Sequence, residues 1–146
     1  MNFIWGAVLI LFTLILSWLI QVINAFSPTL AAQWGLNEPE SDVDPAFFAD
    51  TRGEAIWDAL TLWTLPLAGI LLILDKPAWA YFGLVGGGMF LYLAGRGIVV
   101  RLLMQRRGIR IGKPETLKLF YAFLALWGLI AVVTIIMAVD ALPCPQ

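Results

Sequence analysis

Four long apolar runs take up most of this 146-residue chain, at about residues 3–26, 54–74, 77–104 and 114–141. A helix rises about 1.5 Å per residue, so roughly 20 apolar residues cross the ~30 Å of hydrocarbon in a bilayer. Every run reaches that length. Backbone groups left unpaired in hydrocarbon cost several kcal/mol each, so a spanning segment must close its hydrogen bonds within itself as a helix. The expected fold is all-α: an integral membrane four-helix transmembrane bundle forming a single domain over residues 1–146. The composition, 61% hydrophobic against 13% charged, leaves no stretch from which to build a separate soluble domain.

Punctuation marks the element ends. Ser27-Pro28 closes span one, and Trp5 and Trp34 flank it as interfacial aromatics do. Span one begins with no Lys or Arg and is longer than a leader's apolar core, so it is expected to be retained. Asp44-Pro45 reads as an N-cap followed by proline at the first helical position. It predicts a short interfacial helix between spans one and two, carrying Phe47 and Phe48. Thr51-Arg52-Gly53-Glu54 fits a capping box that opens span two. Pro66 predicts a kink there, because its ring displaces the carbonyl of Leu62 and removes one hydrogen bond. Asp75-Lys76-Pro77 is a tight turn that makes spans two and three antiparallel neighbours.

Orientation follows from the basic residues. Six of the nine Lys and Arg lie between Arg101 and Lys118, which places loop 105–113 in the cytoplasm. Parity then puts loop 27–53 on the same side and both termini outside, in what is expected to be a bacterial inner (plasma) membrane. Residues 38–54 carry six acids against Arg52, a net charge of -5. Residues 101–118 carry six bases against Glu115, a net charge of +5. Two opposite charges of this size on one face predict that the segments touch or frame a shared polar surface. The alternative is two separately solvated loops, the basic one facing anionic lipid.

Arg96 is the residue that most demands a partner. It lies eight residues before Met104, about 12 Å inside that end of the helix. Asp58, four residues into span two, lies about 6 Å deep from the same side. An ion pair between them is expected, with Glu54 one turn away and within reach of Arg101. The pair either closes the bundle or, with Arg96 as a donor fork, binds an anionic or polar headgroup. Span one carries a polar stripe of Gly6, Thr13, Ser17, Gln21 and Asn24 whose spacing keeps it on one face. Gln21, Asn24, Asp58, Thr61 and Arg96 are therefore expected to line one cytoplasm-facing cavity.

Span three has a second face. Gly83 and Gly87 form a G-x-x-x-G, and with Ala94 they make a smooth strip for close helix packing, about 180° from Arg96. A four-helix monomer covers one of these two faces, and covering both implies either a central position for span three or contact with a second copy or other membrane subunits. The Gly86-Gly87-Gly88 run lacks the Lys-Ser/Thr of a phosphate-binding loop. The chain has no histidine, which excludes the commonest haem and zinc ligand, and its one cysteine, Cys144, has no internal partner. No metal, cofactor, nucleic-acid partner or catalytic residue is expected.

With four spans, a cytoplasmic first loop, Gly95-Arg96 late in span three, and Glu54 with Asp58 opening span two, the chain resembles in plan the membrane-associated eicosanoid and glutathione enzymes (the MAPEG group). The resemblance covers architecture and these residues only. That family's span-two motif sets Arg close to Asn and Glu, whereas Arg52-Gly53-Glu54-Ala55-Ile56-Trp57-Asp58 holds no Asn. What the resemblance implies is a cytoplasm-facing arginine site in a trimeric bundle. Three functions are compatible with the residues. The first is a helix-packing or accessory subunit of a homo- or hetero-oligomeric membrane complex. The second is a membrane enzyme or binder of an amphipathic small molecule or lipid. The third is a small oligomeric transporter or channel.

Overall fold

The computed structural model describes residues 2–142, which leaves Cys144 outside the described residues. The chain is all-helical there, without a strand, and four of its helical segments are long and apolar enough to cross a membrane. α1 covers Asn2–Phe26, and a short α2 covers Pro28–Gln33. α3 (Pro45–Thr61) and α4 (Thr64–Ile73) form the second long segment. α5 is Trp79–Arg106 and α6 is Pro114–Ala141.

The middle of α1 departs from an ordinary helix. Over Ile10–Trp18 it is wound wider, and the Leu19 amide donates to the carbonyl of Leu14, five residues back. No glycine or proline within those residues announces this winding. At the end of α1, Ser27 is extended ahead of Pro28 (φ -145°), and α2 then turns the chain across the end of the bundle.

The boundary of the second segment differs from expectation. The Asp44 carboxylate accepts from the Ala46 amide at 2.9 Å, as an N-cap should. The helix it opens is not a separate surface helix, however, because it continues unbroken to Thr61. Thr51 is no cap either: its hydroxyl donates to the Phe48 carbonyl at 3.0 Å from inside the helix. Nothing between Pro45 and Thr61 can stop a helix, since Gly53 alone costs only about 1 kcal/mol. The short helical pieces between the first two long segments are α2 and a single 3-10 turn at Glu40–Asp42.

Pro66 acts as expected. The helical run breaks at Leu62-Trp63, where the carbonyl of Leu62 would have needed the amide that Pro66 lacks. α4 ends in a left-handed Asp75 (φ 52°), and the Lys76 amide bonds back to the Leu71 carbonyl at 2.9 Å. That compact reversal lays α5 antiparallel to α4.

The four segments close into a ring. α5 packs between α4 and α6, while α1 packs on α3 and α4. Two indole N–H groups join α6 to α1: Trp5 donates to the Thr134 hydroxyl at 3.2 Å and Trp127 to the Phe12 carbonyl at 2.9 Å. Leu9, Leu62, Leu65, Phe90, Leu93, Leu124 and Ile130 fill the middle. The outside is just as apolar, with Ile70, Val85, Leu91, Leu129 and Ile136 all exposed. A bundle apolar on both its inner and outer surfaces matches a hydrocarbon surround rather than water.

Gly83, Gly87 and Ala94 are indeed a packing strip, but its partner is α6 of the same chain. A Cβ on Gly83 would stand 3.4 Å from Ala138 and Thr134, and one on Gly87 only 2.6 Å from Ile135. Ala94 meets Gly128 at 3.3 Å by the same measure. Of the two expected coverings, the strip takes the one within the chain. Gly86 packs still closer on the other side, where a Cβ would lie 2.5 Å from the Leu65 nitrogen.

Candidate functional site

Because α3 starts at Pro45, Asp50, Glu54 and Asp58 are successive i, i+4 positions on one helical face. Antiparallel α5 brings Arg96 and Arg101 up against that face. The Arg96 guanidinium bonds Asp50 at 2.5 Å and stands 3.2 Å from Glu54. Arg101 reaches the other Glu54 oxygen at 3.7 Å and donates to the Gly97 carbonyl at 3.1 Å. Its planar cation lies between the rings of Phe47 and Phe120, 5.7 and 5.8 Å from their centroids. Glu54 is thus shared by two arginines, and its side chain is 8% exposed.

The expected ion pair between Arg96 and Asp58 does not form. Asp58 instead accepts from the Gln21 amide of α1 at 2.6 Å. The guanidinium turns toward the connector end, where Asp50 supplies a carboxylate one helical turn beyond Glu54. Asp50 was missed as a site residue because the helix was expected to start after it; beginning the i, i+4 pattern at Pro45 reveals it. The expected contact between Glu54 and Arg101 is present.

Gln21 and Asn24 join this end of the bundle. The Asn24 side chain accepts from Asn37 at 3.2 Å, and its backbone carbonyl accepts from Arg52. Arg52 also donates to the Ala25 carbonyl at 3.2 Å. Arg52 therefore caps the exposed carbonyls at the C-terminus of α1, where a cation also meets the negative end of the helix dipole. Thr61 lies apart: its hydroxyl donates to the Trp57 carbonyl of its own helix at 2.9 Å.

Two spaces open on opposite sides of Glu54. A groove of about 420 Å³ runs between α3 and α5, walled by Glu54, Trp57, Asp58, Tyr92 and Arg96. Trp57 and Tyr92 are 58% and 62% exposed at its edges. A smaller chamber of about 60 Å³ lies inside the bundle, with Ser17, Gln21, Asn24, Glu54 and Arg101 among its walls.

The two charged connectors meet above this cluster, as one of the two sequence expectations held. The Asp44 amide bonds the Arg110 carbonyl at 2.7 Å, and the Arg110 side chain donates to Ser41 and Val43 carbonyls. The buried Glu38 carboxylate accepts from the Lys113 amide at 3.1 Å, and Lys113 faces Asp42 at 3.7 Å. Val43, Phe47, Ile111 and Leu117 form an apolar cluster beneath them. Gly112 has φ +126°, a conformation that favours glycine, and a Cβ there would also lie 2.8 Å from the Glu38 carboxylate and push that side chain aside.

Fold and site together define a small four-helix bundle with a cluster of three carboxylates and two guanidiniums at its connector end. No family model, curated protein or solved structure matches the chain. No group of His, Cys, Asp and Glu among the described residues is arranged to hold a metal ion.

Proposed function

We propose that this chain is an integral membrane protein of four spans that binds the polar head of an amphipathic molecule in the groove beside Arg96. The observation that carries the reading is the opening of that groove onto Glu54, Asp58 and Arg96 on an otherwise apolar flank. Charged side chains within a spanning segment are expensive in hydrocarbon and are kept where they do work. Trp57 and Tyr92 at the rim suit the level of lipid headgroups. Arg96 offers a fork for a phosphate, while Asp58 and Glu54 accept from an ammonium or hydroxyl. A zwitterionic phospholipid headgroup matches that pairing.

The orientation we propose keeps both connectors in the cytoplasm and both termini outside, as in a bacterial inner membrane. Its support is the concentration of bases after α5, where Arg106, Arg107 and Lys118 remain exposed. A subunit that packs through the Gly83, Gly87 and Ala94 strip is less favoured, because α6 fills that strip.

The test is native mass spectrometry of the protein released from membranes of mixed phospholipids. Wild type should retain one zwitterionic phospholipid, and Tyr92→Ala and Arg96→Gln should retain it at least tenfold less. Tyr92 is exposed, so its variant reports on the groove even if Arg96→Gln fails to fold. Equal retention by wild type and Tyr92→Ala would leave only annular lipid and overturn the reading.

A further inference from the structure

Two buried polar atoms of residues that wall the chamber on the inner side of Glu54 have no hydrogen-bond partner, Ser17 Oγ and Arg101 Nε, and the Glu54 carboxylate stands beside them, with Oε1 facing Arg96 and Oε2 facing Arg101. Ser17 is 2% exposed and the Glu54 side chain 8%. A buried polar atom left unpaired costs about 1–3 kcal/mol, and native proteins satisfy about nine in ten or more of them. Two such atoms beside a buried carboxylate make this cavity a polar recess within an apolar bundle. Roughly 10–15 Å³ holds one water, so a chamber of about 60 Å³ admits a small polar group rather than a single solvent molecule.

The chamber adjoins an apolar slot of about 150 Å³ between α1 and α6, and the two share Leu16, Ile20, Leu36, Phe120 and Trp127. Beyond the shared wall the slot is lined by Leu119 and Phe123, with Thr116 at its connector end. An apolar passage leading to a polar chamber has the shape of an amphiphile's site. The chemistry of the polar walls selects its head. Arg101 Nε can only donate, the Glu54 carboxylate can only accept, and the Ser17 hydroxyl does either. The charges of Glu54 and Arg101 cancel, so an ionised head of either sign would meet a like charge at close range. A neutral hydroxyl can donate to Glu54 and accept from Arg101 at once.

We propose that the chamber and slot form a second site, distinct from the groove, which binds a single-chain neutral lipid ending in an alcohol. The chain lies between α1 and α6, and the hydroxyl bridges Glu54 and Arg101. The site does not rest on phospholipid binding in the groove; the two share only Glu54 and Leu93 as walls.

A long-chain alcohol carrying a photoreactive diazirine tests this in phospholipid nanodiscs. The expected result is crosslinking to α1 and α6 around Ile20 and Leu119. Unlabelled alcohol of the same length should compete at least tenfold better than the alkyl sulfonate or the alkyl trimethylammonium. Thr116→Trp, at the slot's end, and Ser17→Leu, in the chamber, should each reduce crosslinking about tenfold, while Tyr92→Ala leaves it intact. Thr116 is half-buried near the surface, so its variant decides the matter if Ser17→Leu does not fold. Equal competition by all three head groups, or crosslinking unchanged in folded Thr116→Trp, would overturn the proposal and leave a chamber of water beside ordinary lipid. Loss of phospholipid retention in Tyr92→Ala with alcohol crosslinking intact, or the reverse, separates the fate of the two sites.

Discussion

Glu54 touches more of the proposed machinery than any other side chain. It faces Arg96 and Arg101, and it walls both the groove and the chamber. Replacing it with glutamine leaves two guanidiniums facing a neutral amide in a largely buried place. Removing one partner of such a pair is costly because the remaining charge stays desolvated. Glu54→Gln should therefore lower stability by about 1–3 kcal/mol, whereas Asp50→Asn, whose carboxylate is 25% exposed, should cost less than about 1 kcal/mol. Thermal unfolding in detergent measures both, and equal losses would contradict the ranking. The partner assignment has its own check. A double-mutant cycle should find coupling between Arg96 and Asp50 of roughly 1 kcal/mol, and between Arg96 and Asp58 of less than about 0.5 kcal/mol. A larger Arg96–Asp58 value would mean the guanidinium turns the other way.

The elements meet through small residues at two levels, and their substitutions should separate cleanly. A methyl group on Gly86 would collide with the Leu65 backbone, which has little freedom to retreat beside Pro66. On Gly88, two residues on, it would meet nothing within 4 Å. Gly86→Ala should destabilise by about 1–3 kcal/mol through overpacking, and Gly88→Ala should be neutral or slightly stabilising through helix propensity. Similar melting shifts for the two variants would show that α4 and α5 do not approach as described. Periodicity and punctuation made most of the elements legible in advance. Apolar length located the four long helices, Pro66 located the break, and Pro114 located the start of α6. The errors came where two local signals competed. Asp44-Pro45 and Thr51–Glu54 both resemble helix starts, and only a continuous helix reveals that the second is interior. That one boundary hid Asp50 and so misassigned the partner of Arg96. Which strip of α5 packs inside the chain was not legible either, because a glycine strip fits a neighbour in cis or in trans equally well. The wide turn in α1 had no residue-level signal at all.

At the scale of the whole molecule, the acidic and basic connectors behave as one cap. Arg110 is its pin: its carbonyl takes the Asp44 amide and its side chain holds two carbonyls of the opposite connector. Arg110→Ala keeps the backbone bond and loses only the side-chain ones, so its effect should be modest, about 0.5–1.5 kcal/mol. Gly112→Ala should exceed it, since it strains a left-handed backbone and displaces Glu38. Hydrogen exchange across residues 38–44 and 109–113 should rise together in Gly112→Ala. A rise confined to one connector would contradict a joint cap.

The most direct test of the whole account is which side of the membrane these two connectors occupy. With Cys144 replaced by serine, single cysteines at the exposed positions Glu40 and Arg107 would be treated with a membrane-impermeant maleimide in intact cells and in inverted vesicles. The four-span account predicts labelling of both in inverted vesicles and of neither in intact cells. Labelling of one position from each side would contradict it, since the joint cap and the cluster of Asp50, Glu54, Arg96 and Arg101 beneath it could not then exist.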